Sequence, residues 1–185
     1  MKKWSEIKQA TLDKLFLDDS EAEQQGYLAK FGYLANEGLV LIANGVKPKI
    51  GLFEHEALED NTIVKMPDDF ISFTNMVNYL NDSPDPTIVY MGDKSLKLPI
   101  KGNYKIYYNA AWQKITKKEI DENSELEIDD SILTCLPTYI ASQLLAQDDI
   151  QRSTILKNEF ELMLSRLDTD IFYQENHFKS TGGWY

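Results

Sequence analysis

Apolar and polar positions along the chain fall into three stretches of different period. Near the start, Trp4, Ile7, Leu12, Leu15 and Phe16 recur at roughly helical spacing. They predict a short helix, capped by Ser5 or a neighbour, that gives way at Leu17-Asp18-Asp19-Ser20. Ser20-Glu21-Ala22-Glu23 has the form of a capping box, in which the hydroxyl and the glutamate each satisfy a backbone N–H. A second helix is therefore expected from about Glu21 to Asn44, with Leu28, Phe31, Ala35, Leu39 and Ile42 on one face and a stop at Asn44-Gly45 before Pro48. Gly26, Gly32 and Gly38 fall inside it, and each costs up to ~1 kcal/mol relative to alanine in an exposed helix interior. Such a cost predicts close approach at these positions, by another helix of the chain or by a neighbouring subunit.

From Lys49 to Thr116 the period shortens. The segments 50–56, 62–66, 71–73, 87–91, 95–98 and 104–108 are short apolar or β-branched runs, parted by the polar loop 81–86, the tight turn 91–94 and a further turn at 99–103. Strands this short with no helix between them predict an antiparallel sheet or sandwich, because parallel pairs need long crossovers. A charged stretch, 117–130, leads back to helical spacing. Asp129-Asp130-Ser131 precedes Ile132, Leu136, Ile140 and Leu144, with Pro137 either kinking that helix or opening it. Asp148-Asp149 precedes Leu156, Phe160, Met163 and Leu167. The short link between the two predicts an antiparallel αα-hairpin. The expected fold class is thus α+β: a helical bundle from 1–48 and 117–168, an inserted antiparallel β segment at 49–116, and a tail at 169–185.

Composition narrows the function classes. With 19 Lys+Arg against 30 Asp+Glu, the net charge is −11, which opposes general nucleic-acid binding by phosphate neutralisation. Apolar content of 43% is too high for a disordered chain. The single Cys135 can form no internal disulfide and reads as a small buried hydrophobe. No signal-peptide pattern follows Met1 and no apolar run is long enough to span a bilayer, so a cytoplasmic protein without a membrane partner is expected.

Candidate chemistry is sparse. His55 and His177 lie in different stretches, and strand alternation puts His55 on the face opposite Glu54 and Glu56. That arrangement reads as a charged strand edge. No phosphate-binding glycine loop or G-x-S-x-G is present. The pairs Asp18-Asp19, Asp129-Asp130 and Asp148-Asp149 precede helices, where carboxylates act as caps, and Asp68-Asp69 reads as a turn. A carboxylate-dependent hydrolase would need such acids to share a cleft. No catalytic, metal-binding or cofactor-binding residue is assigned, and a non-enzyme is expected. Two aromatic groups remain. Tyr104, Tyr107, Tyr108 and Trp112 could grip a glycan or host-surface protein, or fill the core of a small sheet. Phe178 and the terminal Gly182-Gly183-Trp184-Tyr185, with Trp4 at the other end, have the composition of interface anchors.

The order of these elements, with several local motifs, resembles the head-to-tail connector (adaptor) proteins of tailed bacteriophages. The motifs are Met66-Pro67-Asp68-Asp69-Phe70-Ile71, the hairpin from Ile88 to Pro99, Gly102-Asn103-Tyr104-Lys105-Ile106-Tyr107-Tyr108, and Leu136-Pro137-Thr138-Tyr139-Ile140-Ala141-Ser142-Gln143-Leu144-Leu145 followed by Asp148-Asp149 and the last helix. The resemblance spans about 20–168. It implies a structural virion subunit, assembled in the host cytoplasm, that is monomeric or weakly associated alone. On a portal protein such subunits form a cyclic ring, commonly of twelve, that joins the portal to tail or neck proteins and lets DNA pass with only weak contact. The acidic balance suits a wall that must not hold DNA. Trp4, Gly26, Gly32, Gly38, Phe178, Gly182, Gly183, Trp184 and Tyr185 then become candidate subunit or partner contacts, although the tail and the helix glycines lie outside the family pattern.

Overall fold

A computed structural model describes residues 3–73, 79–85 and 87–175. It is a mixture of helix and antiparallel sheet, 47% and 25% of the chain, and no described helix is long and apolar enough to cross a membrane. Contacts divide the chain into two compact units, Met1–Lys47 with Gln113–Tyr185, and Pro48–Trp112.

The first unit is helical. Helix α1 spans Trp4–Leu15, and its capping acceptor is not Ser5. The Ser5 N–H instead donates to Asn123 Oδ1 at 2.8 Å. The second predicted helix is two helices, α2 (Asp19–Gln24) and α3 (Leu28–Gly45). Asp18 caps α2 rather than Ser20: its carboxylate accepts from the Glu21 N–H while Glu21 reaches back to the Asp18 N–H. Gly26 follows the end of α2 at φ +69, a left-handed position that glycine adopts without strain and that ends helices. It lies between the two helices, not inside one. The charged stretch contains a short helix, α4 (Lys117–Asp121), with its own capping box of Thr116 and Glu119.

Helix α5 (Asp130–Leu144) is the centre of this unit. It packs against α1, α3 and α6 (Ile150–Glu175) and is buried around most of its circumference, from Ile132 and Leu133 to Tyr139, Ile140 and Ala141, with Asp130 and Thr134 exposed. Pro137 lies inside it rather than in its first turn. An interior proline costs about 3 kcal/mol in a helix, which burial of the surrounding Leu133, Leu136 and Ile140 offsets. Helix α6 continues to Glu175, beyond the expected end near Leu167.

Asp129 caps α5 by accepting from the Ser131 N–H and hydroxyl, and pairs with Lys47 at 3.1 Å. Burial alone would raise its carboxyl pKa, but the Ser131 bonds and Lys47 together hold it below the ordinary 3.8. A depressed carboxyl contributes stability above its unfolded pKa and loses it as pH falls through the folded value. Asp129→Ala is therefore expected to cost about 1 kcal/mol at pH 7. In urea melts at stepped pH, the gap from the parent should close below about pH 4; a gap independent of pH would exclude the charged cap.

The second unit is built from two antiparallel sheets. Strands β1 (Lys49–Ala57), β2 (Thr62–Lys65), β3 (Phe70–Phe73), β4 (Tyr79–Leu80), β5 (Ser83–Pro84), β6 (Val89–Gly92), β7 (Ser95–Leu98) and β8 (Gly102–Ala110) follow in chain order. One sheet runs β1-β8-β4-β5 with β3 also on β8; the other runs β2-β7-β6. Val64, Leu96 and Leu98 from the second sheet and Tyr104, Ile106 and Tyr108 from the first share one core. The loop expected at 81–86 contains a hairpin: Leu80 pairs with Ser83, leaving Asn81 and Asp82 as a two-residue turn, both at positive φ. Asp93 and Lys94 form the same kind of turn between Gly92 and Ser95. Two positive φ values mark the turn whose twist matches that of the strands.

Candidate subunit interface

Of the residues singled out as candidate contacts, the structure brings two together. Trp4 opens α1 and Gly32 sits one turn into α3; with Leu28, Phe31, Ile120 and Asn123 they line a groove of ≈ 490 Å³ in the helical unit. Trp4 is itself only 6% exposed, so it forms a wall of this groove and belongs to the core. A Cβ on Gly32 would meet Ile120 Cδ1 at 2.9 Å; the glycine lets the α4 side chain lie down on α3. Lys8 pairs with Asp19 at 2.6 Å at the groove's margin.

The other two glycines have reasons within the chain. Gly38 is buried, and a Cβ there would stand 2.8 Å from both Leu136 Cδ1 and Tyr139 Cδ1. It is the point of close approach between α3 and α5, so packing within the chain, one of the two alternatives the sequence left, accounts for it. Gly26 is exposed with open space around it, and its role is the turn described above. Phe178, Gly182, Gly183, Trp184 and Tyr185 lie outside the described residues.

The acidic pairs are engaged by the fold. Asp18 caps α2 and Asp19 pairs with Lys8. Asp149 accepts from the Arg152 N–H at the start of α6, and Asp148 accepts from the Tyr27 hydroxyl. Burial first, and that bond next, push the Tyr27 phenol up to about 12. Burial first, and then the bond its hydroxyl donates to Asp69 Oδ1 at 2.9 Å, push Tyr108 up to about 12 as well. In the β unit, Glu54 and Glu56 share the exposed face of β1, an edge strand, while His55 lies on the other face stacked on Phe53. They border a polar cleft of ≈ 550 Å³ with Asp82 and Lys105, which pair at 2.9 Å. Among the described residues no group of three or more His, Cys, Asp or Glu is placed to hold a metal ion. Tyr104 and Tyr108 are core residues, leaving Tyr107 and Trp112 as the partly exposed members of the aromatic group.

Sequence periodicity missed a set of exposed apolar residues. Phe16 ends α1 in a left-handed conformation, 84% exposed. Arg152 lies 5.0 Å above its ring and donates to the Lys14 and Leu15 carbonyls. That guanidinium satisfies the open end of α1, where positive charge suits the helix dipole. Tyr33, Val40 and Leu41 are exposed on α3, and Ile155 and Leu162 on α6. The first stripe found on each helix explains its buried face, and a second stripe on the opposite side leaves no separate period to detect.

No protein-family model matches the chain, and no curated protein matches its sequence.

Proposed function

We propose that this chain is a head-to-tail connector subunit of a tailed-phage virion, a non-enzymatic protein that forms a ring between portal and tail and lets DNA pass. The observation that carries the reading is the layout: helices before and after a contiguous antiparallel β unit at Pro48–Trp112, with α5 and α6 as the closing pair. The resemblance implies a bundle with an inserted β domain, and this order of elements supports that reading. The exposed apolar positions on α3 and α6 add support, since a helical unit with two such faces has surface to offer neighbours on two sides. Each copy carries −11, so the channel wall would repel rather than grip DNA.

The test is the mass of the chain mixed with the portal protein encoded in the same genome. The expected result is a stoichiometric cyclic complex, with the chain alone monomeric or weakly associated; two separate species would overturn the reading. Removing Gly182–Tyr185 is expected to weaken assembly and leave the melting temperature of the monomer nearly unchanged. A large drop in that temperature would instead make the tail part of the core. Of the aromatic group behind the glycan-binding alternative, Tyr104 and Tyr108 are buried at 1% and 3% exposure, which leaves Tyr107 and Trp112 to carry it.

A further inference from the structure

Two helices of the first unit carry the same pattern of exposed residues with the charges reversed. On α3, Lys30 precedes Tyr33 by three residues and Glu37 follows it by four. On α6, Glu159 precedes Leu162 by three and Arg166 follows it by four. Residues three and four apart share one helix face, so each set forms a short stripe: basic, aromatic, acidic on one helix and acidic, aliphatic, basic on the other. Tyr33 is 71% exposed and Leu162 55% exposed, both large for apolar groups. Lys30, Glu37 and Arg166 are exposed, Glu37 also bonds the Tyr139 hydroxyl, and Glu159 is half-buried and paired with Lys14 at 2.9 Å, so each carboxylate would take a second partner across the contact.

Their directions also match. Tyr27, just before α3, bonds Asp148, just past α5; Gly38 lies under Leu136 and Tyr139; and Lys47, past the end of α3, pairs with Asp129 at the start of α5. Helix α3 therefore runs antiparallel to α5. Contacts of Ser153 with Ser142, Phe160 with Tyr139 and Met163 with Thr138 show that α6 does the same. Both helices pack on α5, and they point the same way. A rotation about a ring axis by a modest angle nearly preserves direction, so α3 of one copy and α6 of the next would meet close to parallel. In that orientation, with Tyr33 against Leu162, Lys30 faces Glu159 and Glu37 faces Arg166. Flanking charges of this kind fix partner and register in paired helices.

We propose that the outer face of α3 on one copy docks in parallel on the outer face of α6 on the next, in the register Lys30–Glu159, Tyr33–Leu162, Glu37–Arg166. Two different surfaces make this contact heterologous, the kind that closes into a ring when the rotation permits. The inference deepens the connector reading and rests on its ring, though the contact itself does not require a portal.

The experiment uses the full chain with Cys135→Ala, carrying either Tyr33→Cys or Leu162→Cys. Under mild oxidation, a mixture of the two is expected to give a disulfide-linked dimer, and neither variant alone should. Self-linking of either variant would show a two-fold contact, and no linking from the mixture would show no contact; both results overturn the proposal. A charge exchange provides the second readout. Glu37→Lys is expected to weaken association about tenfold by placing like charges together, and Glu37→Lys with Arg166→Glu to restore it. Failure of the double variant to recover, with both variants melting like the parent, contradicts the register. Linked dimers without a portal complex would remove only the portal reading. A portal complex without linkage would remove only this contact.

Discussion

Gly51→Ala is expected to destabilise the β unit by about 2–3 kcal/mol, the upper range for forcing an extra group into a packed core. Gly51 lies on β1 opposite Tyr108, and a Cβ there would stand 2.3 Å from Tyr108 Cζ and under 3 Å from two further ring carbons. The ring has little freedom to move. Its hydroxyl is held by Asp69, Phe70 lies against it at 5.8 Å between centroids, and it is 3% exposed. Glycine in a strand normally weakens it; here the bare backbone is covered by the aromatic ring of the neighbouring strand. Denaturant unfolding followed in the tyrosine near-ultraviolet signal measures the loss. Tyr108→Leu in the Gly51→Ala background should cost less than the sum of the two single changes, because the clash and the ring are one interaction. An alanine variant as stable as the parent would show that the ring can shift at no cost.

The second large effect is expected at Gly38. Alanine there has two opposed consequences. It gains up to ~1 kcal/mol of helix propensity, yet its Cβ meets Leu136 and Tyr139 at 2.8 Å, and overpacking costs about 1–3 kcal/mol. Leu136 is fully buried and Tyr139 packs on Phe160 at 5.1 Å, so neither can swing into solvent. The net result is a modest loss for alanine. For Gly38→Leu it is a loss of more than about 3 kcal/mol, because a whole side chain must separate α3 from α5. Thermal melts of both variants check the order. Stabilisation by alanine would mean that the helices are not in close contact at this point.

Much of the architecture was legible because helix ends are written in short-range chemistry. Asp18, Asp129 and Asp149 each stand beside a helix start, and the strand runs around 50–56 and 104–108 alternate as β1 and β8 do. The break at Gly26 was passed over although the spacing slips there: Ala22 lies six residues before Leu28, off the steps of three and four that Leu28, Phe31 and Ala35 keep, and the capping pattern before it drew one helix through both. Asp18-x-x-Glu21 and Ser20-x-x-Glu23 both satisfy the capping-box pattern, and only the fold chooses between them. The Asn81-Asp82 turn was hidden in a polar run, since residues that tolerate positive φ also dominate open loops. Burial of α5 around most of its circumference had a signal that periodicity does not measure: no charged residue occurs from Ser131 to Gln147. As for the candidate contacts, Trp4 and Gly32 were placed near one groove, whereas Gly38 is a core residue. The exposed stripes on α3 and α6 came only with the structure.

The most direct measurement of the proposed connector role is the protein inventory, by quantitative mass spectrometry, of purified, DNA-filled particles of the phage that this proposal makes the source of the chain. The account predicts that the chain is present in a small whole-number ratio to the portal protein, as a ring requires. Particles that are infectious and complete without it would contradict the account.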